Sequence, residues 1–279
     1  MAPDGSKLEP AENDPVKNRR TALVLLALIV VGGVMIMVAY MIKRKGDLAE
    51  RAKGRPPIVA RLKSNFAVVR HDGETVAISD LKGKVWLATT ICLSQPEDTA
   101  ETLRAMQAVA GDRPAEDRLR FVCFTIDPER DRPADLAAFA GKLGLADDER
   151  WWFVAAGEEK LRAYLKNQLR LGAVTEGEQD GRPWLRFDPL ITLVDGTAVA
   201  RNGDPLMHIR GRYDFHGARA VENDAKRLIE TEPERIEEFT REFKQHPETF
   251  TNEVQELEAT VLRHIDYVLN EELKEGTEL

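Results

Sequence analysis

Residues 21–42, TALVLLALIVVGGVMIMVAYMI, form an apolar run without a single charge. As a helix this run spans roughly 33 Å, which matches the hydrocarbon core of a bilayer. Basic residues bracket it: Lys17, Arg19 and Arg20 before, Lys43, Arg44 and Lys45 after. A cleaved leader has a shorter apolar core, ~7–15 residues, and a small-residue cleavage site. The pattern therefore predicts a retained transmembrane helix over 21–42. Residues 1–20 are polar and poor in apolar positions, which predicts a disordered tail. Residues 43–63 read as a basic linker containing Pro56-Pro57.

Beyond the linker the pattern turns globular, and a domain is predicted over 64–231. FAVVRHDGETVAI gives two strand-like runs about Asp72-Gly73, a hairpin signal. LKGKVWLATT gives a turn and a buried strand. Residues 95–110 carry Leu103, Met106, Val109 and Ala110 at helical spacing. LRFVCFTID reads as a second buried strand. RPADLAAFAGKLGL predicts a helix from Pro133 to a stop at Gly144, and 158–171 predicts another. PLITLVDGTAV and LMHIRGRY read as a hairpin turning at Asp195-Gly196, and RAVENDAKRLIE as a closing helix. The order is hairpin, β, α, β, α, α, β, β, α. Buried strands joined by helices imply parallel pairs, and the late hairpin adds antiparallel ones. The predicted class is α/β: a thioredoxin-like mixed sheet with flanking helices.

Residues 232–279 read as an acidic helical extension. Thr231 and Glu234 fit a capping box, followed by Ile236, Phe239 and Phe243. Pro247 interrupts, and Val254, Leu257, Val261, Ile265 and Val268 then make one apolar stripe. Such a stripe either packs back on the domain or offers an amphipathic face to a partner. Charge sharpens the contrast with the rest of the chain. The net charge is −8, and residues 216–279 alone hold 17 acidic and 8 basic side chains. No basic surface is implied, so nucleic acid is not an expected partner.

The chain has two cysteines, Cys92 and Cys123. No C-x-x-C and no zinc-spaced Cys/His cluster occurs. Cys123 lies in a strand-like run and reads as a small core hydrophobe.

FVCFTIDPERDRPADLAAFAGKLGL followed by RWWFVAAG resembles the Sco/SenC family of membrane-anchored, thioredoxin-fold copper proteins. Asp127, Pro128, Glu129, Arg130 and Asp131 match its strand-end signature, and RWWFVAAG its Trp-x-Phe strand. FAVVRHDGETVAISDLKGK resembles its opening hairpin and Gly-Lys turn. The resemblance covers roughly residues 60–230. It implies a copper site made by a C-P-x-x-C-P turn at the start of the first helix and a distant His. Two thiolates so spaced share one helix face, and thiolate with imidazole suits Cu(I).

Fitted without a gap between Gly83-Lys84 and Leu103, the two ligand cysteines fall on Gln95 and Thr99 and the His near Phe187. No His occurs between residues 72 and 207. The resemblance thus implies a scaffold whose three ligand positions are changed and which holds no metal. The reading is a non-catalytic accessory or assembly factor for a respiratory oxidase, with the membrane and an oxidase subunit as partners. Copper carriage through other ligands is the alternative, as is thiol oxidoreduction by Cys92. The residues to watch are Cys92, Ser94, Pro96, Asp127 and Pro189. Ser94 to Glu97 fits a capping box with Pro96 in the first turn, and Pro189 is expected to be cis. The charge rule would keep the domain in the cytoplasm. The family resemblance places it outside, and that placement is preferred.

Overall fold

The computed structural model describes residues 54–179, 182–200, 202–233 and 247–271, with Leu25, Ile29, Gly33 and Met35. Residues 1–53 and 54–279 form two compact units. In the first, those four residues are helical, and Leu25, Ile29 and Met35 are exposed. The rest of the predicted 21–42 span, the tail 1–20 and the linker up to 53 lie outside the described residues. No described helix is long and apolar enough to cross a membrane.

The second unit is built on an eight-stranded mixed sheet. Its strands are β1 (Ala60–Arg61), β2 (Ala67–Arg70), β3 (Thr75–Ala77), β4 (Val85–Ile91), β5 (Leu119–Thr125), β6 (Trp151–Ala155), β9 (Ile191–Asp195) and β10 (His208–Tyr213). Their order across the sheet is β1-β10-β9-β4-β5-β6-β2-β3. β4, β5 and β6 run parallel, while β9 is antiparallel to β4 and β10 to β9. The helices are α1 (Pro96–Asp112), α2 (Pro133–Lys142), α3 (Glu158–Asn167), α4 (Phe215–Thr231) and α5 (Glu253–Asn270). A separate two-stranded hairpin, β7 (Thr175–Gln179) with β8 (Arg182–Arg186), stands between α3 and β9.

β4 shows how the sequence builds the layers. All seven of its residues, VWLATTI, are buried, as expected of a central strand covered on both faces. Side chains alternate across a strand, so Val85, Leu87 and Ile91 enter one core with Leu103, Met106 and Val109 of α1 and Leu136 of α2. Trp86, Ala88 and Cys92 enter the other, with Leu161, Tyr164 and Leu165 of α3. Each Val, Leu, Ile or Met side chain among them stabilises the fold by roughly 1.5–3 kcal/mol when fully buried. The arrangement is thioredoxin-like.

The turns follow the sequence. Gly73 and Gly83 take φ of 86° and 78°, values that suit glycine. At Gly196 the constraint is approach: an added Cβ would lie 2.6 Å from the carbonyl oxygens of both Leu81 and Lys84. The reciprocal bonds Gly83 N–H to Gly196 C=O and Gly196 N–H to Lys84 C=O need that closeness.

Four expectations need correction. β6 separates α2 from α3, so the succession of two helices is broken by a third parallel strand, the one the family resemblance supplies. α3 stops at Asn167 and not Leu171, because Arg170 takes a left-handed φ of 58° and turns Leu171 into the core. The β7–β8 hairpin is absent from the sequence reading. Thr231 is no N-cap: it ends α4, and its hydroxyl donates back to Arg227 C=O. Glu234, Ile236, Phe239 and Phe243 lie outside the described residues.

α5 packs against the sheet. Val261, Ile265 and Val268 are buried in the first core, flanked by Val254, Leu257, Leu262 and Leu269. Tyr213 of β10 and His264 of α5 meet at 2.7 Å between hydroxyl and Nδ1, and burial holds the His264 imidazole below its ordinary pKa. A second tie is ionic. Arg210, wholly buried, donates to Asp195 Oδ2 at 2.8 Å and to the carbonyl of Pro56, and pairs with Glu271 Oε2 at 2.8 Å. Arg55 takes the other oxygen of Glu271 at 2.6 Å.

Candidate functional site

β4 leaves the sheet at Ile91, and the chain makes a turn through Cys92–Gln95 before Pro96 opens α1. This is the corner where the sequence places the candidate loop. Pro96 suits the first helical position, where no N–H partner is needed. The N-cap is Gln95, not the expected Ser94, and no side chain caps the helix. Ser94 turns back instead, its Oγ lying 3.2 Å from Cys92 Sγ. The N-terminal anchor of the helix is not a cap but Gln95's reach to another element.

That reach is specific. Gln95 Oε1 accepts from Leu185 N–H at 3.0 Å and Gln95 Nε2 donates to Leu185 C=O at 3.0 Å. A third bond runs from Nε2 to Asp98 Oδ2 at 2.9 Å. The amide thus pairs with β8 as a neighbouring strand's peptide would, and it is 6% exposed. Thr99, one turn on, is buried, and its hydroxyl donates to Pro96 C=O at 3.2 Å. Phe187 is half-buried and packs against the second core. Gln95, Thr99 and Phe187 are therefore occupied by a backbone pairing, a helix back-bond and apolar packing.

Cys92 is 1% exposed. Burial raises its thiol pKa, and the nearby carboxylates Asp131 and Asp127 push the same way against a lowering contribution from Ser94. A neutral thiol is a poor nucleophile and a poor metal ligand. Cys123, mid-strand in β5, is fully buried and its pKa is raised by burial alone.

The Asp127–Asp131 segment has a structural role. Asp127 C=O accepts from the N–H groups of Arg130 and Asp131, which closes a turn. The turn points Asp131 back at the strand ends. There its Oδ2 accepts from Thr125 Oγ1 at 2.5 Å and from Leu93 N–H at 3.1 Å. One carboxylate therefore ties the end of β5 to the turn after β4, and burial raises its pKa. Asp127 pairs with Arg130 at 3.2 Å. The cap of α2 comes from Asp135, which accepts from Arg132 N–H. Among the described residues no group of three or more His, Cys, Asp or Glu side chains is placed to hold a metal ion.

Pro189 lies near this corner, and its carbonyl accepts from Thr102 Oγ1 at 2.6 Å. The expected cis bond is not found: no described peptide is cis. The bend is made instead by Leu190 N–H bonding to Asp188 C=O at 2.8 Å, a three-residue turn centred on Pro189. Sequence reasoning missed Leu185 and the hairpin that carries it. The dipeptide Asp180-Gly181 between TEGEQ and RPWLR is a hairpin signal, but TEGEQ has no apolar alternation to support it.

The sequence model of the SCO1/SenC family matches residues 55–150. Over that stretch the chain resembles the Sco/SenC family. The SCO1 protein homolog of Bacillus subtilis is 31% identical over 121 residues, 40% of this chain, and the match spans only 60% of that relative's length. Among solved structures, the soluble domain of Sco1 from Bacillus subtilis is 24% identical with a TM-score of 0.40, covering 58% of this chain and 86% of its own. Copper-bound ScoI of Bradyrhizobium japonicum is 19% identical with a TM-score of 0.39, covering 55% and 90%. Copper-bound yeast Sco1 is 14% identical with a TM-score of 0.41, covering 66% and 98%. The sequence match includes β4, α1, β5 and the Asp127–Asp131 turn. β7, β8, α4 and α5 lie beyond it.

Proposed function

We propose that this chain is a non-catalytic accessory or assembly factor for a respiratory oxidase, anchored in the membrane, on a Sco/SenC-like scaffold that no longer carries the family's copper site. One observation carries the reading. The position the resemblance gives to the first ligand cysteine holds Gln95, whose amide is engaged with the Leu185 backbone. Thr99 and Phe187 offer a neutral hydroxyl and an aromatic ring at the other two positions. Neutral oxygens are poor Cu(I) ligands, and a phenyl ring donates none of the lone pairs a soft ion needs. Cys92 adds one buried thiol, which cannot build a paired-thiolate site. These residues do not fit copper, and no step of the proposed role passes through it. The link to oxidase assembly rests on the family resemblance.

Titration of the purified protein with Cu(I) against a competing chelator tests the loss. The expected result is no stoichiometric binding that survives the competitor. Tight one-to-one binding would sink the reading and favour copper delivery through other ligands.

The domain is further proposed to lie on the extracytoplasmic side of a single membrane span. The uncharged run 21–42 and the family resemblance support this, against the denser basic residues on its C-terminal side. Protease added to intact spheroplasts is expected to remove the domain. Full protection until lysis would reverse the orientation.

A further inference from the structure

We propose that the β7–β8 hairpin is a strap latched by the Gln95 side chain, and that release of this latch controls access to the Cys92 thiol. The inference is independent of the oxidase-assembly reading, since it concerns the closure of the corner and not its partner.

A two-stranded hairpin is marginal alone, and among the described residues the second sheet holds only β7 and β8, so no further described strand pairs with β8. Gln95 supplies the missing neighbour. Its amide offers one acceptor and one donor in the geometry of a peptide group, and Leu185 uses both, at 3.0 Å each. Among the described residues the other polar tie from the hairpin to the rest of the fold is Arg162 with Glu176, at 3.0 Å, and Glu176 is 73% exposed. An exposed ion pair contributes ~0–1 kcal/mol, whereas two part-buried hydrogen bonds to one amide contribute more, and their loss leaves the 6% exposed Gln95 amide unpaired toward Leu185. Gln95 is therefore the dominant polar tie.

The same residue stands next to the thiol. Cys92 Sγ is 3.8 Å from Gln95 Oε1 and 3.2 Å from Ser94 Oγ. Leu185 and Phe187, just before and after the end of β8, pack against the apolar cluster that contains Cys92. Lifting the strap withdraws Leu185 and Phe187 from that cluster together. Cys123 is the internal reference, because it lies inside β5 and needs the sheet itself to open.

The test uses the full-length protein, with N-ethylmaleimide as probe and mass spectrometry of both cysteine peptides, alongside hydrogen exchange of the segment containing Leu185. In the unmodified protein Cys92 is expected to label faster than Cys123, at a rate that follows Leu185 exchange. Gln95→Met keeps the side-chain length and removes both hydrogen bonds. It is expected to raise Cys92 labelling and Leu185 exchange together by roughly tenfold, with Cys123 unchanged. Gln95→Met that leaves Leu185 protected overturns the latch. Equal labelling of Cys92 and Cys123 in the unmodified protein, which needs no variant to fold, overturns the strap.

Discussion

Arg210→Ala is expected to lower the stability of the domain by about 3–5 kcal/mol, the cost of breaking a buried ion pair by removing one partner. Arg210 is 0% exposed and Asp195 1% exposed. Asp195 keeps its bonds from the Thr197 N–H and hydroxyl to Oδ1, but Oδ2 loses the Arg210 guanidinium. Glu271 retains Arg55 and loses the buried half of its pairing. Two carboxylates are left facing a void that water cannot fully solvate. For a domain of this size the loss corresponds to a fall in Tm of roughly 6–20 °C. Urea unfolding followed by circular dichroism reads it directly, and a change under 1 kcal/mol would show that the cluster is not a tie. Arg210→Lys is not a conservative rescue, since one ammonium cannot serve Asp195, Glu271 and the Pro56 carbonyl in the planar fork that a guanidinium provides.

Ile265→Ala is expected to cost about 2–5 kcal/mol, the range for truncating a buried aliphatic side chain. Ile265 is 0% exposed and lies between Val261 and Val268 on the buried stripe of α5. The stripe contributes to the same core as Leu87, Met106 and Tyr213, so the cavity forms against the sheet and not at a loose edge. Ile265→Asp adds the desolvation of a carboxylate and is expected to undock the helix, seen as rapid proteolysis within 253–270 while β4 and β5 remain protected. A shift below 1 kcal/mol for Ile265→Ala would mean that α5 only rests on the sheet, and the partner-binding reading of its stripe would regain ground.

Most of the fold is legible where one residue pattern has one solution. VWLATTI and LRFVCFT are continuous apolar runs flanked by turn residues, and both are central parallel strands. The stripe Val254, Leu257, Val261, Ile265, Val268 correctly marks a helix face, but its own pattern does not say what covers it. That is decided by the complementary surface of the sheet, which no local pattern encodes. β7 escaped because TEGEQ is polar throughout, and its partner strand is tied at Leu185 to Gln95, 90 residues earlier in the sequence. Ser94 misled for a related reason: S-x-x-E is a cap signature, yet the hydroxyl found Cys92 and the helix began at Pro96. At the candidate site, the family resemblance drew attention to Gln95, and the structure shows that its amide is engaged with Leu185. The sequence alone could not show that pairing.

The Arg210 cluster also changes the topology of the folded unit. Arg210 takes the Pro56 carbonyl and one oxygen of Glu271, just past the end of α5, and Arg55 takes the other oxygen of Glu271. The polypeptide from 55 to 271 is thereby closed into a ring by charge, without a covalent link. In an open chain the two ends fray separately. In this one, peeling the entry segment and peeling α5 break the same clasp, so the two segments are expected to open together.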